Sequence, residues 1–292
     1  MPHKISGIFA PISTPFFNEE VNLSYLRENI HRYNKTSLAG YFVLGSNGEN
    51  KSLSDQEKFQ ILETVISEKL PNHIIVAGIA SESTYLAINI AKQMASLGAD
   101  FISLLPPSYF IKQLNDEALA RFYLDVADKS PIPVMAYNAP TFNEVILSLK
   151  VIEKIAKHPN IAGMKDSSPG MIFNYLEICK DDDFDILSGT INTLLPALLL
   201  GASGGVVSLA NAFPQECVKL YRAATNQNLS LTVEINSKLL RLNRDISGSF
   251  GVAGVKCAMD YNGYFGGNPR LPLLPLKDAD RERVRTAISA YR

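Results

Sequence analysis

Short apolar runs alternate along the chain with longer amphipathic stretches, and turns rich in Gly, Ser and Pro separate them. The runs are Ile5–Ala10, Tyr41–Leu44, Ile74–Ile79, Phe101–Leu105, Ile132–Ala136, Ile161–Met164, Phe184–Leu187 and Gly205–Leu209. Most are near-continuous rather than alternating, the pattern of parallel strands buried on both faces. The stretches between them read as helices. Ser54-Asp55-Gln56-Glu57 has the capping-box pattern ahead of Phe59, Leu62 and Ile66, which share one helix face. Leu86, Ile90, Met94 and Leu97 make another stripe, with Gly98 placed to end that helix.

The runs begin about 20 to 35 residues apart, the length of a strand–helix unit. Eight such units in series predict an α/β fold, a closed (β/α)8 TIM barrel. A doubly wound sheet is the structural rival. Its nucleotide fingerprint is missing, because Gly201-Ala202-Ser203-Gly204-Gly205 has the wrong spacing and precedes a strand rather than a helix. Additional C-terminal helices are expected over Asn228–Arg244, Val252–Tyr261 and Ala279–Tyr291. With no linker in sight, the organisation expected is a single domain over 1-292, a barrel over about 1-225 followed by a helical extension over about 226-292.

Composition narrows the classes of function. The formal net charge of -1 leaves no electrostatic footprint for nucleic acid or an anionic membrane, so neither is expected as a partner. Cys179, Cys217 and Cys257 are widely spaced and odd in number, which argues against a disulfide framework and for a reduced, cytoplasmic setting. The segment from Met1 to Phe17 lacks the uninterrupted apolar core of a signal peptide. Asn192, Thr193 and Pro196 interrupt the longest apolar stretch, Ile191–Ala202, which is too short to span a bilayer.

In an α/β barrel the chemistry sits at the C-terminal ends of the strands. Those positions hold Ser13 and Thr14, Gly45-Ser46-Asn47-Gly48-Glu49, Tyr137, Lys165-Asp166, Gly189, and Val207 with Ser208. None of His3, His31, His73 and His158 stands there, and no ligand-type cluster is visible, so no metal is expected. Lys165 closes the apolar run Ile161–Met164, where hydrophobic walls favour the neutral amine that attacks a carbonyl. Read more plainly, it is a solvated loop lysine paired with Asp166. Tyr137, one strand earlier, is a proton-transfer group or a packing tyrosine. The Gly45–Glu49 turn is a cradle for a carboxylate or phosphate, or an ordinary strand-to-helix loop.

Taken in order, these segments resemble the dihydrodipicolinate synthase / N-acetylneuraminate lyase superfamily over almost the whole chain. The resemblance rests on Gly7-Ile8 through Thr14-Pro15-Phe16, the Gly45–Glu49 turn, Tyr137-Asn138-Ala139-Pro140, Gly163-Met164-Lys165-Asp166-Ser167 and Asn268-Pro269-Arg270-Leu271-Pro272-Leu273-Leu274-Pro275-Leu276. It implies a (β/α)8 barrel, usually a homotetramer, that needs no cofactor and holds pyruvate as a Schiff base. By that resemblance Lys165 is the imine lysine and Tyr137 the proton-transfer tyrosine. Ser46 and Asn47 match the positions that bind the pyruvate carboxylate, and Ser46 also relays protons. Gly189 and Val207 are carried as substrate-binding candidates, with Tyr109 as a further one.

Departures from the pattern bear on the substrate. The synthases look like Gly-Thr-Thr-Gly-Glu in the turn, where this chain has Asn47 in place of the second threonine. Phe142 stands where they carry an arginine for the aldehyde's carboxylate, Leu86 replaces the glutamate of lysine-inhibited members, and Tyr109 is one residue off their register. The motifs look more like the 4-hydroxy-2-oxoglutarate and 2-keto-3-deoxy sugar-acid aldolases, although Asn143-Glu144 departs from those as well. The reading is a class I aldolase acting on a 2-keto-4-hydroxy acid, as a homotetramer or homodimer. The alternatives are 4-hydroxy-tetrahydrodipicolinate synthase, a Schiff-base dehydratase of a keto-deoxy sugar acid, a non-catalytic anion-binding barrel with Lys165 as a point charge, and a phosphate-binding barrel using Gly189 and Gly204-Gly205.

Overall fold

In the computed structural model, which describes residues 4–291, eight parallel strands close into a barrel. They are β1 (Gly7–Pro11), β2 (Gly40–Val43), β3 (Ile74–Ala80), β4 (Phe101–Leu105), β5 (Val134–Asn138), β6 (Ile161–Asp166), β7 (Asp185–Ser188) and β8 (Gly204–Val206). They follow chain order around the ring, with β8 beside β1. Each apolar run of the sequence overlaps one of them.

Three strands end two or more residues from the expected C-terminal position. The fifth and sixth strands run on to Asn138 and Asp166, because Tyr137↔Lys165 and Asn138↔Asp166 continue the parallel pairing past the last apolar residue. Lys165 and Tyr137 therefore stand inside strands, not in the loops after them. The eighth strand ends early, at Val206. Beyond it the chain curls into a short turn, Ser208–Asn211, and the Asn211 amide donates to the Pro11 carbonyl at 2.9 Å and accepts from the Ser13 N–H at 3.2 Å.

The chain forms two compact units, one combining the residues up to Gly7 with Ile74–Val206, the other combining Ile8–His73 with the residues from Val207 onward. In the first unit, Ser83 caps the helix Thr84–Leu97 and Gly98 ends it at φ 104, a conformation glycine adopts without strain. Where the first and last strands approach, a Cβ on Gly204 would lie 2.0 Å from the Gly7 carbonyl oxygen, so only glycine fits. In the second unit, both bonds of the Ser54/Glu57 capping box start the helix Asp55–Glu68. The three C-terminal helices are Leu229–Asn243, Ser249–Tyr261 and Asp278–Tyr291. The middle one has a break at Gly251 (φ 54), immediately before the Val252 start that its hydrophobic pattern predicts. Among the described residues no helix is long and apolar enough to cross a membrane.

Candidate active site

Tyr137 and Lys165 are register partners on β5 and β6, and partners on adjacent parallel strands project to the same face. Both side chains are buried, with 5% and 3% of their surface exposed, and the Lys165 Nζ lies 4.3 Å from the centroid of the Tyr137 ring. The next pair along the ladder, Asn138 and Asp166, projects to the opposite face. There the Asn138 Nδ2 donates to Asp166 Oδ1 at 2.7 Å, and Ser168 Oγ donates to Asp166 Oδ2 at 2.8 Å. Asn138 Oδ1 accepts from the Leu147 N–H at 3.1 Å, and Tyr175 Oη donates to the Leu147 carbonyl at 2.5 Å.

Burial raises the pKa of Asp166, and its hydrogen bonds from Asn138 and Ser168 oppose that rise. A solvated loop lysine paired with Asp166 is inconsistent with its burial and with the strand alternation that turns Asp166 away. Tyr123 adds support from behind, since its hydroxyl donates to the Leu104 carbonyl at 3.1 Å and contacts the Tyr137 backbone. Gly189 follows β7 and donates its N–H to the Asp166 carbonyl at 2.7 Å. A side chain there would meet Ser167 Oγ at 1.9 Å, so Gly189 permits a close backbone crossing.

In the second unit, Leu44 (φ 62) and Glu49 (φ 55) flank the Gly45-Ser46-Asn47-Gly48 turn. Two neighbouring non-glycine residues in the left-handed region are costly, and such strain persists where surrounding bonds over-determine it. The bonds are present. Thr14 Oγ1 donates to the Gly48 carbonyl at 2.7 Å, Ser13 Oγ to the Asn47 carbonyl at 3.2 Å, and Asn47 Nδ2 to Ser208 Oγ at 3.0 Å. A Cβ on Gly48 would sit 2.9 Å from the Ile12 carbonyl oxygen. Ser46 and Asn47 are half-buried, whereas Val207, just before Ser208, is fully buried.

The remaining candidates lie in different surroundings. Tyr109 is 80% exposed and packs edge-on against Phe110, its backbone N–H held at 2.9 Å by Glu82 Oε2. Phe142 is 65% exposed on the turn Pro140–Asn143, which Asn143 Nδ2 ties to the Pro106 carbonyl at 3.3 Å. His31 and His158 meet Glu68 and Asp128, His73 meets the Tyr41 ring edge-on, and His3 lies outside the described residues. Sequence reasoning missed Asn138, Ser168 and Tyr175, although period-two alternation already turned Asn138 and Asp166 away from Tyr137 and Lys165. It also missed a buried ion pair between Glu49 and Lys256.

Comparison with known proteins matches residues 4–291 to the model of the dihydrodipicolinate synthetase family. The chain is 31% identical over 290 residues to a 4-hydroxy-tetrahydrodipicolinate synthase of Methanospirillum hungatei, covering 98% of this chain and 99% of the relative. It is 30% identical over 286 residues to the Staphylococcus haemolyticus protein of the same name, covering 96% and 95%. Among solved structures it is similar to dihydrodipicolinate synthase from Bacteroides thetaiotaomicron, with a TM-score of 0.90 at 28% identity over 98% of each chain.

Proposed function

The chain belongs to the dihydrodipicolinate synthetase family and is a pyruvate-dependent class I carbon–carbon lyase, and we propose that Lys165 carries its imine in the cleavage of a 2-keto-4-hydroxy acid. The observation that carries this reading is the buried pair of register partners, with the Lys165 amine against the Tyr137 ring.

The neutral amine of Lys165 attacks C2 of the keto acid, and loss of water leaves a protonated imine that acts as electron sink. Tyr137, having given its phenol proton to the departing water, takes the proton of the C4 hydroxyl, the C3–C4 bond breaks, and an aldehyde departs. The electron pair is held as an enamine, the proton returns to C3, and hydrolysis of the imine frees pyruvate and the lysine. Ser46 and Asn47 bind the carboxylate, with Ser46 passing protons, while Gly189 and Val207 line the substrate. The polar bonds that hold the Gly45–Gly48 turn support the carboxylate role. Tyr109 and Phe110, exposed and mutually packed, support a homotetramer or homodimer in which a second copy covers them. The three free, buried cysteines support a cytoplasmic setting.

A second reading, condensation of pyruvate with aspartate semialdehyde, is favoured by the relatives named as synthases. Phe142 weighs against it, because an apolar ring offers no charge-assisted bond to the aldehyde's carboxylate. A screen of 4-hydroxy-2-keto acids read by pyruvate release, run beside the condensation assay, separates the two. Cleavage of at least one keto acid with weak condensation is expected. Condensation with kcat/KM above about 10⁴ M⁻¹s⁻¹, in the ordinary range for enzymes, makes the synthase the answer.

A further inference from the structure

Glu49 ends the Gly45–Gly48 turn, and its carboxylate points into the protein rather than into solvent. Its Oε1 lies 2.6 Å from the Lys256 Nζ, with 1% and 0% of the two side chains exposed. The Lys256 ammonium compensates this buried carboxylate oxygen. Oε2 accepts the Arg270 N–H at 2.9 Å. The Lys256 ammonium also donates to the Asn268 carbonyl at 3.0 Å and lies 4.4 Å from the centroid of the Phe16 ring. The Arg270 guanidinium approaches the same ring at 4.4 Å and pairs with Glu57 at 2.6 Å.

Replacing a buried ion pair by apolar residues is often neutral or stabilising, so stability alone gives weak grounds for keeping one. What this pair does locally is more specific. Glu49 sits in the left-handed region at φ 55, which a non-glycine residue adopts reluctantly, and its side chain is clamped by Lys256 on the helix Ser249–Tyr261 and by the backbone N–H of Arg270 in the segment after it. The clamp fixes the turn from one end, while Thr14 and Ser13 fix its carbonyls from the other.

We infer that Lys256 and Glu49 are positioning residues that hold the Ser46–Asn47 turn in its substrate-binding geometry. This rests on the reading of Ser46 and Asn47 as the carboxylate site, and the test is arranged to separate the two claims. Its readout is the pyruvate dependence of borohydride trapping, which reports binding through the half-saturating concentration and imine reduction through the limiting extent.

Four variants are compared well below their own melting temperatures. Asn47→Ala probes the carboxylate site directly. Lys256→Met orphans the Glu49 carboxylate, and Glu49→Gln keeps the shape while removing the charge, which covers the case in which Lys256→Met does not fold. Val284→Ala, a core truncation in the helix Asp278–Tyr291, supplies lost stability without a link to the turn. The expected result is a rise of about tenfold in half-saturating pyruvate for the first three, the scale of one charge-assisted bond, with the limiting extent retained and no rise for Val284→Ala. Combining Asn47→Ala with Glu49→Gln should add little, because both act on one turn. If Asn47→Ala raises half-saturation and Lys256→Met and Glu49→Gln do not, the positioning role is overturned while the carboxylate site stands. If Asn47→Ala leaves it unchanged, the carboxylate site falls and the positioning role with it.

Discussion

Replacing Asn138 by alanine tests whether the outward-facing network secures the two strand ends that carry Tyr137 and Lys165. The substitution removes the donor to Asp166 Oδ1 at 2.7 Å and the acceptor for the Leu147 N–H at 3.1 Å. It also removes a 3.2 Å contact with Tyr175 Oη. A hydrogen bond to a charged group is worth about 1.5–3 kcal/mol, and an orphaned buried N–H costs about 1–3 kcal/mol. Burial already disfavours the Asp166 carboxylate, which would be left with the Ser168 hydroxyl and the Ser168 and Ile172 backbone as its donors. The expected destabilisation is about 3–5 kcal/mol, a fall of about 5–8 °C in melting temperature for a chain of this size. Differential scanning calorimetry at fixed scan rate measures it. A cycle with Asp166→Ala should show coupling of about 1.5 kcal/mol or more, because the second deletion costs less once the first partner is gone. A melting temperature within about 2 °C of the parent, or additive effects in the cycle, would refute the claim that this network holds the strand ends.

Two further outcomes follow from other parts of the molecule. Tyr137→Phe keeps the buried ring, so the melting temperature should hardly move while kcat falls about 10²–10⁴-fold; near-parental turnover would leave Tyr137 a packing residue. The Arg270 guanidinium, chiefly through its hydrogen bond, lowers the Glu57 pKa to about 2, below its usual 4.5. A depressed carboxylate pKa gives stability that is present above the unfolded value and lost as pH falls through the folded one. Glu57→Gln should therefore melt lower than the parent at pH 7, by less than the full shift implies, because solvent screens the pair. The gap should close as pH drops from about 4.5 to 2, and a gap independent of pH would count against the ion pair.

The barrel was legible because each buried strand announces itself as an apolar run, and the cap signals at Ser54 and Gly98 bound their helices. Lys165 and Tyr137 were legible as the polar residues that close two of those runs. Their placement inside the strands was not, because an apolar pattern stops at the first polar residue while the hydrogen-bond ladder does not. The Asn138–Asp166 bond follows from alternation once the register is known, and the register is a three-dimensional fact. Glu49 and Lys256 meet only through the folding of the C-terminal helices, and a lysine inside an amphipathic helix reads as a solvated one until its burial is seen. Phe142 and Tyr109 could be named from motif spacing, but their exposure required the structure.

The central claim is the imine on Lys165, and the direct measurement is borohydride reduction in the presence of pyruvate, followed by intact mass and peptide mapping. The account predicts one reduced pyruvate per chain, located on Lys165, with irreversible loss of activity and no adduct in Lys165→Ala. An unmodified mass, or an adduct that persists when Lys165 is replaced, would contradict it.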